Sequence, residues 1–217
     1  MKGLIIKDFI NLKRNLKMFA IIILIYGFMA FASGDTNFFG TIFTVLFAIL
    51  TLSLFSYDEV ANWDIYALTM PISKKNIVQS KFIMMLMLNL IGIAFGSVFT
   101  ILIQLFRGEN LLLFSVRNNC IAAAVGILFY AVMIPFITKL GVEKARIILF
   151  IIYLIPFALF YFISNAVKSG TLIIPENIIS LIRALEKYAL IIFPLLLILA
   201  LSVSYMISIN IYRKKEF

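Results

Sequence analysis

The 217-residue sequence predicts an all-α polytopic membrane protein with six transmembrane helices, and three observations carry that prediction. The first is composition: 64% of residues are apolar and 13% charged, whereas soluble domains run to about 45–50% apolar and about 25% charged. The second is how the charge is spread. It leaves six uninterrupted intervals, 18–34, 36–57, 82–106, 118–138, 147–167 and 188–212, of 17, 22, 25, 21, 21 and 25 residues, and the next longest gap is nine. A helix crossing a hydrocarbon core about 30 Å thick needs roughly 20 residues, so the six intervals read as spans and the shorter gaps do not. The third is the brevity of the connections. The longest has 24 residues, which leaves no room for a soluble domain, and residues 1–217 read as a single transmembrane domain.

Ahead of the first span, Ile5, Phe9, Leu12 and Leu16 recur at helical spacing, with Asp8, Asn11 and Asn15 between them and five basic residues from Lys2 to Lys17. That pattern predicts an amphipathic helix at the membrane surface, its apolar stripe at the acyl boundary and its cations toward phosphates. A basic start followed by Ala30-Phe31-Ala32 also looks like a signal peptide. The patterned stretch is too long for the charged head of such a peptide, so the first span is read as a retained anchor.

Spans two and three are joined by residues 57–75, the most informative segment. Its first half is acidic and predicts a short helix, with Val60, Trp63 and Ala67 on one stripe and Glu59, Asn62 and Tyr66 on the next. Pro71 ends that helix, and Ser73 is placed to cap the one that follows. The helix has two readings: an interfacial anchor held by its Trp and Tyr, or a docking element for a protein groove. Asp58, Glu59 and Asp64 favour docking, because acids are not needed on a face where topology calls for cations.

Within the spans, Gly92 and Gly96 form a Gly-x-x-x-Gly spacing in the third, which favours close packing inside the bundle over a dimer contact. Pro135, Pro156 and Pro194 each remove a backbone hydrogen bond from spans four, five and six. Asn89, Gln104, Asn165 and Asn210 are expected to satisfy one another or the backbone, and Cys120 to be inert and buried. Before the last span, in residues 168–187, Ile178, Ile179, Ile182 and Leu185 alternate with Glu176, Asn177, Arg183 and Glu186, predicting amphipathic helix on the outer face.

Orientation follows from the cations, which are retained on the cytoplasmic side. With the N-terminus inside, fourteen of the nineteen Lys and Arg residues fall on inner segments and five on outer ones. Both termini are therefore expected in the cytoplasm of a multi-pass plasma-membrane protein. The net charge of +9 then lies mainly against anionic lipid headgroups. Spread along membrane flanks in this way, it gives no footprint for nucleic acid.

Catalysis in this chain finds no support. There is no His, no acid or base within the six intervals, and no Gly-x-x-x-x-Gly-Lys-Ser/Thr phosphate loop. An intramembrane protease or transferase would need such groups.

The amphipathic start Met1-Lys2-Gly3-Leu4-Ile5-Ile6-Lys7-Asp8-Phe9, the six spans, and Asp58-Glu59-Val60-Ala61-Asn62-Trp63-Asp64 running on to Met70-Pro71-Ile72-Ser73-Lys74-Lys75-Asn76-Ile77-Val78 together resemble the ABC-2 type transporter permeases. The resemblance spans the chain. It implies an N-terminal elbow helix, a cytoplasmic coupling helix between spans two and three, and short outer helices before span six. It implies an exporter half-transporter that binds no cofactor itself, with ATP and Mg held by a separate ATP-binding cassette ATPase subunit, and a second permease copy or paralogue as partner. The docking residues it points to are Glu59, Trp63, Asp64 and Tyr66, the aromatics as apolar contacts and the acids as partners of basic residues on the ATPase. Substrates of small permeases of this kind include peptides, bacteriocins, drugs and lipids, and the chain is most similar in character to exporters of amphipathic peptides such as the phenol-soluble modulins. A membrane scaffold, sensor or immunity protein, for which inert spans suffice, is the alternative.

Overall fold

A computed structural model of the protein describes residues 2–13, 16–33, 36–108, 112–169 and 176–215. Among them are eight helices and no strand: α1 (Lys2–Lys13), α2 (Leu16–Ser33), α3 (Thr36–Val60), α4 (Trp63–Leu68), α5 (Lys74–Arg107), α6 (Leu112–Leu140), α7 (Val142–Lys168) and α8 (Glu176–Lys214). Four contain stretches long and apolar enough to cross a membrane: Gly40–Val60, Lys74–Phe106, Leu113–Leu140 and Ile192–Lys214. These lie in α3, α5, α6 and α8, the helices that pack most closely on one another. The two remaining apolar intervals are helical as well, in α2 and α7, which flank this core against α3 and α6.

Small residues explain why α3 and α5 lie so close. A Cβ added to Gly96 would stand 2.6 Å from the Gly40 carbonyl oxygen and 2.7 Å from Thr44 Oγ1, and one added to Gly92 would stand 2.9 Å from Phe47 Cβ. The Gly-x-x-x-Gly spacing is thus used within the bundle, as expected, since only hydrogen at those positions lets the backbones approach. Thr44, fully buried, accordingly reaches the Gly92 carbonyl at 3.3 Å. Toward one end, Gln104 donates to Ser115 at 2.8 Å and Asn119 to Ser97 at 3.2 Å, and Asn89 donates to the Met85 carbonyl at 2.9 Å, so these amides are paired inside, whereas Asn165 and Asn210, expected to be satisfied likewise, are exposed.

Turns follow local chemistry. Ser73 Oγ accepts from the Asn76 amide at 3.2 Å, capping α5 as its sequence position predicts. Gly108 and Gly141 end α5 and α6 in the left-handed region, with φ of 71° and 84°.

Three expectations are corrected. The acidic segment is not one helix from residue 57. Instead α3 continues to Val60, Asn62 turns left-handed at φ 47°, and α4 starts afresh at Trp63, which puts Val60 outside while Trp63 and Ala67 face the bundle. Asn tolerates that conformation because its short polar side chain makes local bonds. The outer amphipathic stretch is not a set of short helices either: α8 runs unbroken for 39 residues from Glu176, since nothing after Pro175 interrupts the helix before the last span. The side chains of 170–191, and Pro156 with them, lie outside the described residues. Cys120, expected buried, is exposed on the outer surface of α6.

Candidate functional site

Four charged segments gather at one end of the bundle. Lys7 of α1 meets Asp58 of α3, Glu59 of α3 meets the start of α7, and Lys74 of α5 donates to the Lys215 carbonyl at 2.9 Å. The N-terminal helix, the α3–α5 connection, the α6–α7 turn and the C-terminus therefore share a single face, the one to which the cation count assigns them all.

At its centre is a buried cluster of alternating charge. Lys7 Nζ lies 2.6 Å from Asp58 Oδ1 and 3.1 Å from Asp8 Oδ1, and Lys81 Nζ lies 3.1 Å from Asp8 Oδ1 and 2.6 Å from Asp58 Oδ2. The side chains of Asp8 and Lys81 are 1% and 7% exposed. Charges taken this far from water persist only when each has an opposite partner in reach, and here every one has two. Asp8 arrives because α1 turns Leu4, Asp8 and Leu12 inward, one above another at i, i+4 and i+8. The stripe predicted to lie at the acyl boundary is divided: Phe9 is exposed, with Ile6 and Ile10 beside it, whereas Leu12 is buried in the bundle and Ile5 half-buried. From sequence, Lys7 and Lys81 were legible only as membrane-flanking cations and Asp8 only as a polar residue between the apolar ones; the i, i+4, i+8 spacing of Leu4, Asp8 and Leu12 is the one signal that could have found the inward carboxylate.

The four residues singled out from sequence are sorted by α4 and the end of α3. Glu59 accepts a hydrogen bond from the Val142 amide at 2.6 Å and so caps α7 at its positive end. Its carboxylate also occupies the space a side chain on Gly141 would fill. Trp63 is half-buried against the main apolar core, with Lys7 Nζ 4.2 Å from its ring centroid. Asp64 accepts from the Tyr212 hydroxyl at 2.9 Å and lies 3.8 Å from Lys215 Nζ, which ties α4 to the C-terminal end of α8. Tyr66 is exposed, its ring 5.6 Å from Trp63, with Ile65 exposed beside it. Behind these groups lies a cavity of about 120 Å³ bordered by Asp58, Glu59, Asp64, Lys81 and Tyr212. Tyr212 is the contact that sequence reasoning missed, since nothing in the last span marks one Tyr as the partner of an acid 148 residues away.

Four helices long and apolar enough to cross a membrane, with most of the cations on the segments at one end, define a multi-pass membrane protein. The chain belongs to the ABC-2 transporter family, whose description, ABC-2 family transporter protein, it matches over residues 3–213. Members are the membrane subunits of ABC transporters rather than their catalytic parts, and they work with an ATP-binding cassette ATPase. No curated protein and no solved structure matches the chain.

Proposed function

We propose that the protein is the permease subunit of an ABC exporter that moves an amphipathic or hydrophobic substrate (a peptide, bacteriocin, drug or lipid) across the plasma membrane, driven by ATP hydrolysed with Mg on a separate subunit. In this reading α2, α3, α5, α6, α7 and α8 make six crossings, both termini are cytoplasmic, and a second copy or a paralogue completes the pathway. The α1 helix serves as the elbow, its exposed Ile6, Phe9 and Ile10 resting in the inner leaflet. The α4 helix serves as the coupling helix.

The observation that carries this reading is the two-sided build of α4. Its Trp63, Asp64 and Ala67 are held by Lys7, by Tyr212 and by the core, while Ile65 and Tyr66 stand outward at 56% and 57% exposure. A short helix fixed from behind and apolar in front suits an element that receives a push from a protein groove and passes it to the bundle. Tyr66 then makes the partner contact. Glu59, Trp63 and Asp64 position the helix, and Glu59, the more exposed of the two acids, keeps a carboxylate oxygen for a basic residue of the ATPase.

The test is ATPase stimulation in a reconstituted complex. Substituting Ile65→Ser together with Tyr66→Ala should lower stimulation at least tenfold while leaving insertion and thermal stability unchanged. Full stimulation by that double variant would remove α4 from the coupling role. Failure of the wild-type protein to bring down any ATPase subunit from mild detergent would instead favour the scaffold reading.

A further inference from the structure

A second cavity lies on the flank of the bundle, away from α4. It is a groove of about 520 Å³ between α6 and α8, walled by apolar side chains such as Val132, Phe136, Val203 and Ile207, with Lys139 at one end. It opens where Pro135 interrupts the hydrogen bonding of α6. Along α8 it runs from Leu199 to Ile211, about 18 Å at the helical rise and so roughly one leaflet of a hydrocarbon core about 30 Å thick.

The charge at its mouth has one sign. Lys139 is exposed and has no carboxylate within ion-pair distance among the described residues, unlike Lys7, Lys81 and Lys215 of the same membrane face. Lys214 stands one turn beyond Ile211, on the groove side of α8, and likewise has no such partner. An apolar slot about one leaflet deep, ending at two cations with no ion-pair partner among the described residues, complements a molecule with an acyl chain and an anionic head.

We propose that the α6–α8 groove is a binding site for one anionic phospholipid, its acyl chain between Val203, Ile207 and Phe136 and its phosphate held by Lys139 and Lys214. The site is separate from α4 and from the cluster around Asp58. Bound there, the lipid would wedge α6 against α8 at the Pro135 bend and set the spacing of two core helices.

The test uses the full chain in nanodiscs offering phosphatidylglycerol and phosphatidylcholine with identical acyl chains, released for native mass spectrometry. Because both leaflets are alike, the result depends neither on orientation nor on transport. The wild-type protein should retain phosphatidylglycerol in clear preference, and each lysine should account for about fivefold of it, so that K139Q/K214Q retains the two lipids nearly equally. K139R should keep the preference. K144Q, which removes a cation of the same face outside the groove, should keep it too. V203W, which fills the slot, should reduce retention of both lipids. No preference in the wild-type protein, or one undiminished in K139Q/K214Q, would overturn the proposal. So would a V203W variant that retains lipid normally but loses a dimer, because the groove would then belong to a second copy.

Discussion

Lys7 and Asp58, 51 residues apart in sequence, meet at 2.6 Å, and the same ammonium lies 4.2 Å from the centroid of the Trp63 ring. A single side chain of α1 thus holds the end of α3 and the inner face of α4 together. Movement of α4 has to be shared with α1 or break this contact.

Asp58→Ala should therefore be far more damaging than an ordinary surface substitution. It leaves Lys7 and Lys81 with Asp8 as their one shared carboxylate, two cations against one anion, at a cost of about 3–5 kcal/mol for the uncompensated buried charge. Thermal unfolding in detergent measures this loss. A double-mutant cycle of Asp8→Asn and Lys81→Met should show a coupling of about 1–3 kcal/mol; additive effects would mean that the cluster is not a unit.

Glu59→Ala should remove the cap of α7 and cost about 1 kcal/mol. The loss should be local: amide exchange should quicken in the first turn of α7, at Val142 to Ala145, and not in α5. Unchanged protection there would argue against the 2.6 Å bond to Val142.

Trp63 carries an indole N–H that is buried and has no hydrogen-bond partner among the described residues. Trp63→Phe keeps a ring beneath Lys7 and deletes that unsatisfied donor, so stability should hold or rise, in contrast to Trp63→Ala, for which about 3–5 kcal/mol should be lost. Comparing the melting temperatures of the two variants separates packing from the polar defect.

The glycines divide by position. Gly96→Leu should abolish assembly of α3 against α5, because even a Cβ would stand 2.6 Å from the Gly40 carbonyl oxygen. Gly3→Ala, with nothing within 4 Å, should be neutral or slightly stabilising. Monodispersity on size exclusion, with melting temperature, distinguishes the outcomes.

Much of this protein was legible in the spacing of its charges. The long apolar helices and the common face of the four charged segments follow from the cost of placing charge in hydrocarbon, which acts on each segment separately and so leaves its mark in the linear order. The cap at Ser73 and the packing use of Gly92 and Gly96 are legible for the same reason, since each depends on neighbours within one or two turns. The partners of the polar groups are another matter. Asp58 and Glu59 read alike in sequence, yet one lies in a buried cluster with Lys7 and Lys81 and the other caps α7. Trp63 and Tyr66 share one short helix, yet one is turned into the core and the other away from it, because the left-handed turn at Asn62 sets the rotation of α4. The sequence alone determined that the chain is helical and membrane-embedded, and which end of the bundle is charged. Only the tertiary structure decided which of those charges neutralise one another, because Coulomb attraction in a low-dielectric interior depends on distances between segments that the order of residues does not contain.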